Sequence, residues 1–377
     1  MDFSKVTQVI QAYTGKVAPA ITVQVRWRDR IVYEQAQGWL DPEACQRPVQ
    51  MDSLFDLASV TKLFVVSACM AIIDRGRQKL DGYVRVQLPR FSGLRPIEGY
   101  EHPLEPGSVV QPLDSNEKSV DAGKVTYRNL LAHNSGLPAW RPLKDQPDVC
   151  SAVQMALNTS FYYPTGTRVV YSDIGLILLG LAMEPMGRSR LDESVRELVT
   201  RPLGLAHTRY LPLAGQPYDT RNIAPTELCA WRKRRIVGEV HDENAARLGG
   251  IAGHAGLFST AGDLTHFGQS FIDRRYPLLN PKWITEMTRL QAQDGMVRRG
   301  LGFALWSPDP EASGNPFSPS AFGHTGFTGT SLWIDPERKL VVSVLTNRVY
   351  YGRDAGEITK FRPELHRAIV AEIDQCV

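Results

Sequence analysis

Strand patterns stand at both ends of this chain with helical patterns between them, and that arrangement limits the fold more than any other feature. Ala20 to Trp27 (AITVQVRW) reads as a strand, Arg28-Asp29-Arg30 as a turn, and Ile31 to Trp39 as the returning strand of a hairpin. Near the other end, Ser331 to Ile334 and Leu340 to Thr346 flank the turn signal Asp335-Pro336-Glu337-Arg338. Helix patterns bracket the whole, from Phe3 to Tyr13 and from Pro363 to Ile373, the latter with Leu365, Ile369 and Ile373 at four-residue spacing. The simplest assembly is one antiparallel sheet built from both termini, with the terminal helices against it and a mostly helical lobe inserted between. The fold class is therefore α/β, of α+β type. Residues 1–377 form a single unit, with a sheet lobe of about 1–55 and 300–377 and a helical lobe of about 56–299. Phe91 to Ala122, rich in Pro, Gly, Ser and Glu, is expected to be a long loop, and no internal repeat is visible.

Ser59-Val60-Thr61-Lys62 stands at the entrance to an apolar run, Leu63 to Ile73. Residues three apart on a helix share a face, so the hydroxyl and the amine can touch. A serine is a poor nucleophile until a neighbour accepts its proton, and a sheltered lysine with a depressed pKa can do so. The apolar run predicts a helix buried on nearly all sides, with Ser59 at its N-terminus. There, free backbone N–H groups and the helix dipole favour developing negative charge. Ser115-Asn116-Glu117-Lys118 repeats the spacing in a polar stretch with no apolar helix behind it, and reads as a solvated loop.

Composition excludes several classes. The chain is 43% hydrophobic and 22% charged with a net charge of +3, so it predicts neither a nucleic-acid binder nor a membrane-surface protein. The one basic run, Trp231-Arg232-Lys233-Arg234-Arg235, reads as a solvated loop or helix face. The first twenty residues hold no apolar core suited to a signal peptide, and Ile174 to Met183 is too short to span a membrane. Five scattered cysteines fit neither a disulfide framework nor a zinc pattern, and Cys69 reads as packing. A cytoplasmic location is expected, with no metal and no cofactor.

Two further motifs carry polar chemistry. Tyr171-Ser172-Asp173 precedes the apolar stretch Ile174 to Met183. A phenol there can shuttle protons if neighbouring cations depress its pKa. The alternative is a packed tyrosine with Asp173 as helix cap. His324-Thr325-Gly326 lies just before the C-terminal strand pair. The glycine lets a substrate backbone approach a strand edge closely, whereas the bland alternative is a Gly-rich turn.

The order of these motifs resembles the serine β-lactamase and penicillin-binding protein superfamily, in its class C β-lactamase-like branch, which includes esterases, D-peptidases and acyltransferases. Leu130 to Pro138 (LLAHNSGLP) resembles that family's LLxHxSGLP segment, and Gly253 to Leu264 (GHAGLFSTAGDL) its GGLFSTAxDL segment. Val344 to Arg348 (VLTNR) is similar to its final strand. The resemblance implies the β-lactamase/transpeptidase-like fold. It also implies an acylated nucleophile at Ser59, a proton acceptor at Lys62 and a proton relay at Tyr171. The oxyanion hole would be the N–H groups of Ser59 and Phe327, and Asp173, His324, Thr325 and Gly326 would line the substrate groove.

Two departures bear on the substrate. Asp173 stands where the family's β-lactamases mostly carry Asn, and His324 where they carry Lys. A carboxylate cannot donate the amide's hydrogen bond, and an imidazole is a weaker carboxylate partner near neutral pH that changes charge within the working range. The expectation is a serine hydrolase with carboxylesterase-type activity on small esters. The alternatives are a D-alanyl-D-alanine carboxypeptidase or other D-peptidase, a weak β-lactamase, or a non-catalytic penicillin-binding-like sensor. The expected partner is a small-molecule ester, amide or lactam, with the oligomeric state left open. An α/β-hydrolase is excluded because no Gly-x-Ser-x-Gly occurs. His133, His241-Asp242-Glu243 and His254 lack a helical metal-ligand spacing and read as structural or groove-lining.

Overall fold

A computed structural model of the chain describes residues 1–105, 107–112, 116–214, 218–273 and 278–376. The first hairpin is as expected. Strand β1 (Ala20–Trp27) turns through Arg28 and Asp29, both at positive φ, into β2 (Arg30–Gly38). Two left-handed residues give a two-residue loop whose twist suits a hairpin. The C-terminal half adds β3 (Ala292–Asp294), β4 (Val297–Arg299), β5 (Ala304–Leu305), β6 (Phe322–Thr325), β7 (Ser331–Asp335) and β8 (Leu340–Thr346).

These strands form one antiparallel sheet in the order β3-β4-β5-β6-β7-β8-β1-β2. The seam between the two ends of the chain is the β1–β8 ladder, running from Ile21 opposite Thr346 to Trp27 opposite Leu340. Strands β3 and β4 carry the sheet ahead of residue 300, which periodicity alone did not show.

Both faces of the sheet are covered. Helix α1 (Ser4–Tyr13) and the C-terminal Gly356–Asp374 helix place Val6, Ile10, Phe361, Leu365 and Ile369 against Ile21, Val23, Val25, Val342 and Val344. The C-terminal helix begins before Pro363, although proline favours a first turn. Ile358 and Phe361 are buried against the sheet, and that packing outweighs the hydrogen bond proline forfeits.

On the opposite face lie α2 (Thr61–Asp74), α3 (Asp173–Gly187) and α4 (Ala261–Gln269). Phe64 of α2 stacks on Phe267 of α4 at 4.1 Å, and Phe267 shares the core with Leu332, Ile334 and Val341 of the sheet. Every residue of α2 from Thr61 to Ile73 is buried, as its unbroken apolar run requires. With the C-terminal helix as α5, no helix among the described residues is long and apolar enough to cross a membrane.

The segment from 91 to 122 is not a featureless loop. Leu94–Pro96 pairs with Ser119–Asp121, and Tyr100–Glu101 with Val109–Val110. Such short ladders leave no periodicity to read. Ser115, the serine of the second Ser-x-x-Lys, lies outside the described residues.

Candidate active site

The Ser59 turn is built by strand pairing rather than by the helix alone. Phe55–Asp56 pairs with Leu257–Ser259, which in turn pairs with Arg209–Tyr210. Leu57 N–H donates to Leu257 O at 2.9 Å, and Leu257 N–H to Thr61 Oγ1 at 3.2 Å. The chain then turns through Ala58, at φ +46°, into a single 3₁₀ turn, Ala58–Val60, that runs into α2. A positive φ at a residue with a Cβ is strained and persists only where its surroundings fix it. Ser59 therefore sits in the turn before α2, and Lys62 in the helix's first turn.

Lys62 is wholly enclosed. Its Nζ donates to Ser59 Oγ at 2.8 Å and to His254 O at 3.0 Å, and it forms an ion pair with Asp173 Oδ1 at 2.8 Å. This corrects one expectation. Burial favours the neutral amine, but the Asp173 carboxylate outweighs it and holds Lys62 above its ordinary pKa. At rest Lys62 is an ammonium that donates to the serine, not a free base.

Asp173 is not the helix cap. Ser172 is: its Oγ accepts from Gly175 N–H at 3.0 Å and donates to Pro138 O at 2.6 Å. That leaves the Asp173 carboxylate free to face Lys62 from the start of α3. Tyr171, just before, has its hydroxyl enclosed near Lys62 and Ser59 without a hydrogen bond of good geometry to either. Its ring lies 4.8 Å from Lys62 Nζ, 5.2 Å from the Arg299 guanidinium, 4.8 Å from the His133 ring and 5.6 Å from the His324 ring. Cations do surround it, yet burial dominates and pushes the phenol's pKa up despite Lys62. Tyr171 is thus a neutral phenol at rest.

The sheet edge supplies the opposite wall. His324 stands beside Thr325, the last residue of β6, and is buried, its Nδ1 2.7 Å from Thr325 O. A carbonyl only accepts, so Nδ1 carries the proton. Burial, then Arg299 and Lys62, hold His324 well below its usual pKa. The imidazole is therefore neutral through the working range, against the expectation that it changes charge there. Gly326 is where the sheet meets the Ser59 turn: a Cβ there would fall 2.1 Å from Thr330 Oγ1 and 2.5 Å from Leu57 O. Only glycine fits this approach. Beyond it, the N–H groups of Phe327 and Ser59 donate to no other group among the described residues.

Ser59, Tyr171 and Phe327 line two clefts at once. The larger, about 800 Å³, runs along the sheet edge past Arg299, His324, Thr325, Trp333 and Arg348. The smaller, about 250 Å³, is walled by Leu104, Trp140, Asp173, His241, Asp242 and His254. A substrate bond held over Ser59 has room for a group on each side.

One feature of the site, Arg299, left no readable signal in the sequence, whereas the sequence marks His133 and His254 as structural or groove-lining. Arg299 lies in an unremarkable strand, and no carboxylate pairs with it among the described residues. His133 packs on Tyr171 and accepts from Ser172 N–H at 3.1 Å through Nδ1. His254 holds Lys62 through its carbonyl while its ring meets Asp242 at 2.9 Å. The histidines weighed as metal ligands thus brace or line the site. The basic run is tied inward as well: Arg232 donates to Val240 O and His241 O, and Arg235 lies over the Tyr350 ring at 3.7 Å.

The chain is similar to known proteins along most of its length. The family model described as Beta-lactamase matches residues 6–366. The chain is 31% identical to an N-acetylmuramyl-L-alanine amidase of Bacillus subtilis, over 91% of this chain and 80% of that protein. It is 28% identical to an Escherichia coli protein provisionally named D-alanyl-D-alanine carboxypeptidase, over 88% and 78%. Among solved structures it is similar to EstCE1, a hydrolase with promiscuous acyltransferase activity, at TM-score 0.74 and 20% identity over 97% of each chain. It is also similar to the simvastatin synthase LovD of Aspergillus terreus, at TM-score 0.73 and 19% identity over 99% of each chain.

Proposed function

Because the chain belongs to the beta-lactamase family, a family of serine hydrolases, we propose that it cleaves small carboxylic esters through an acyl-enzyme on Ser59. The observation that carries this reading is the 2.8 Å contact between Ser59 Oγ and Lys62 Nζ, with Asp173 paired to the same nitrogen.

The resting charges dictate the proton path. Substrate filling the clefts excludes water from the Lys62–Asp173 pair, and a dry ion pair is costly. The proton then passes from Lys62 to Asp173, leaving a neutral amine. That amine takes the Ser59 proton as Oγ attacks the acyl carbon. The N–H groups of Ser59 and Phe327 receive the charge on the carbonyl oxygen. Tyr171 protonates the departing oxygen and is reprotonated by Lys62, and the pair returns to its charged form. Deacylation is the same relay in reverse, with water in the leaving group's place.

Esters suit a site whose proton donor is a neutral phenol, because an alkoxide or phenoxide leaves with less assistance than an amine. A second reading, cleavage of a D-amino-acid peptide, is favoured by Arg299. Its unpaired guanidinium in the larger cleft suits a carboxylate on the leaving group. The test is fluorophosphonate labelling with peptide mapping, followed by rates on p-nitrophenyl acetate and on a D-alanyl-D-alanine peptide. One adduct at Ser59 and a faster ester supports the proposal. Labelling elsewhere overturns it. A faster peptide, made slower by Arg299→Ala, selects the second reading.

A further inference from the structure

Asp56 is a buried carboxylate that the proton path above does not use. It is 2% exposed. Its two oxygens are divided between two backbone donors: Oδ1 accepts from Ala58 N–H at 2.8 Å, and Oδ2 from His241 N–H at 2.6 Å. Its own carbonyl accepts from Thr328 Oγ1 at 2.8 Å, and the next carbonyl, Leu57 O, accepts from Thr330 Oγ1 at 2.9 Å. Each partner belongs to a different part of the site. Ala58 is the strained residue that turns the chain into Ser59. His241 lines the smaller cleft, and its ring stacks on Phe327 at 5.6 Å. Thr328 follows Phe327 directly.

We infer that Asp56 is a positioning residue that sets the Ser59 hydroxyl and the Phe327 N–H in register on one reacting carbonyl. This rests on the acyl-enzyme reading of Ser59. The requirement is for two acceptors on one rigid side chain. Without the Oδ1 bond, Ala58 has no local reason to hold a positive φ. Without the Oδ2 bond, the His241 segment loses its anchor behind Phe327. Small displacements of this kind are costly because reacting groups must be held within a fraction of an ångström. Simple packing does not account for an acid here, since burial holds its pKa above the ordinary carboxyl value even against the Ala58 and His241 N–H groups and so opposes the charged form.

Asp56→Asn tests this, because the carboxamide keeps the shape but offers one acceptor where two N–H groups point. Fluorophosphonate end-point labelling counts competent sites, and all rates are expressed per labelled site. The expected result is complete but at least about tenfold slower labelling of Ser59, with a matching fall in kcat on p-nitrophenyl acetate and KM little changed. A role in stability alone would lower Tm while leaving the rate per labelled site at the wild-type value, and that result overturns the inference. If Asp56→Asn does not fold, Thr328→Val cuts the tether to the Asp56 carbonyl at nearly constant volume. Several-fold slower labelling is then expected, and an unchanged rate overturns the inference. A wild-type protein that does not label at Ser59 defeats the hydrolase reading itself, and this inference with it. Wild-type labelling with an unaffected Asp56→Asn defeats the positioning role alone.

Discussion

Replacing Asp173 by Asn isolates the charge that keeps Lys62 protonated. The pair is 2.8 Å apart. At an effective dielectric constant of 20, unit charges at that distance attract by roughly 6 kcal/mol. Asp173 is 22% exposed, so solvent screens part of this. A quarter of that attraction, roughly 1.5 kcal/mol, still changes the population of free amine about tenfold. The sign follows from the chemistry. Wild-type turnover starts from the charged pair, because Asp173 accepts the Lys62 proton once substrate is bound. Asn cannot accept it, so the variant reacts only when Lys62 has already lost its proton to solvent. In the variant, the acidic limb of kcat/KM on a neutral aryl ester should therefore move to higher pH, where the Lys62 amine forms. On that limb the free amine is about tenfold more abundant than it would be beside the Asp173 carboxylate. Stability gives an independent check. A lysine whose folded pKa is raised contributes stability that is complete below its unfolded pKa and lost as pH rises through the folded value. The deficit of Asp173→Asn in thermal unfolding should thus be full at neutral pH and shrink at strongly alkaline pH. An acidic limb that stayed in place or moved to lower pH would refute the assignment of Asp173 as the partner that charges Lys62 and then accepts its proton.

Two other substitutions probe the opposite walls. Tyr171→Phe should lower kcat by roughly 10²–10⁴-fold with the fold intact by circular dichroism, and near-native turnover would assign the ring to packing alone. Because burial, Arg299 and Lys62 keep His324 neutral, His324→Gln should leave the shape of the pH–rate profile unchanged for both anionic and neutral esters. A limb that disappears with the imidazole would contradict this.

The hairpins at both ends were legible because their signals are local: β-branched runs, turn residues and a short span between them. The terminal helix is legible from Pro363 through the four-residue spacing of Leu365, Ile369 and Ile373, whereas Ile358 and Phe361 extend it to Gly356 by packing on the sheet. The ladders within 91–122 were invisible because two- and three-residue strands carry no period. Ser59 and Lys62 were legible as a pair because three-residue spacing brings them together in and beside one helix. Arg299 was not, because nothing in Val297-Arg298-Arg299 marks which arginine will face Tyr171.

The sequence by itself determined which chemical groups are available and which near neighbours meet: the Ser59 hydroxyl with the Lys62 amine, and Tyr171 at the entrance to α3. Only the tertiary structure decided their protonation. Lys62 gains its carboxylate from α3 and its carbonyl from His254, 192 residues away. Tyr171 is enclosed by groups from three separate segments, and His324 is neutralised by burial beside two cations. Spacing fixes contacts within a turn or two of helix. Proton affinity depends on desolvation and on every charge within several ångströms, and those charges converge only when α2 and α3 pack with the sheet.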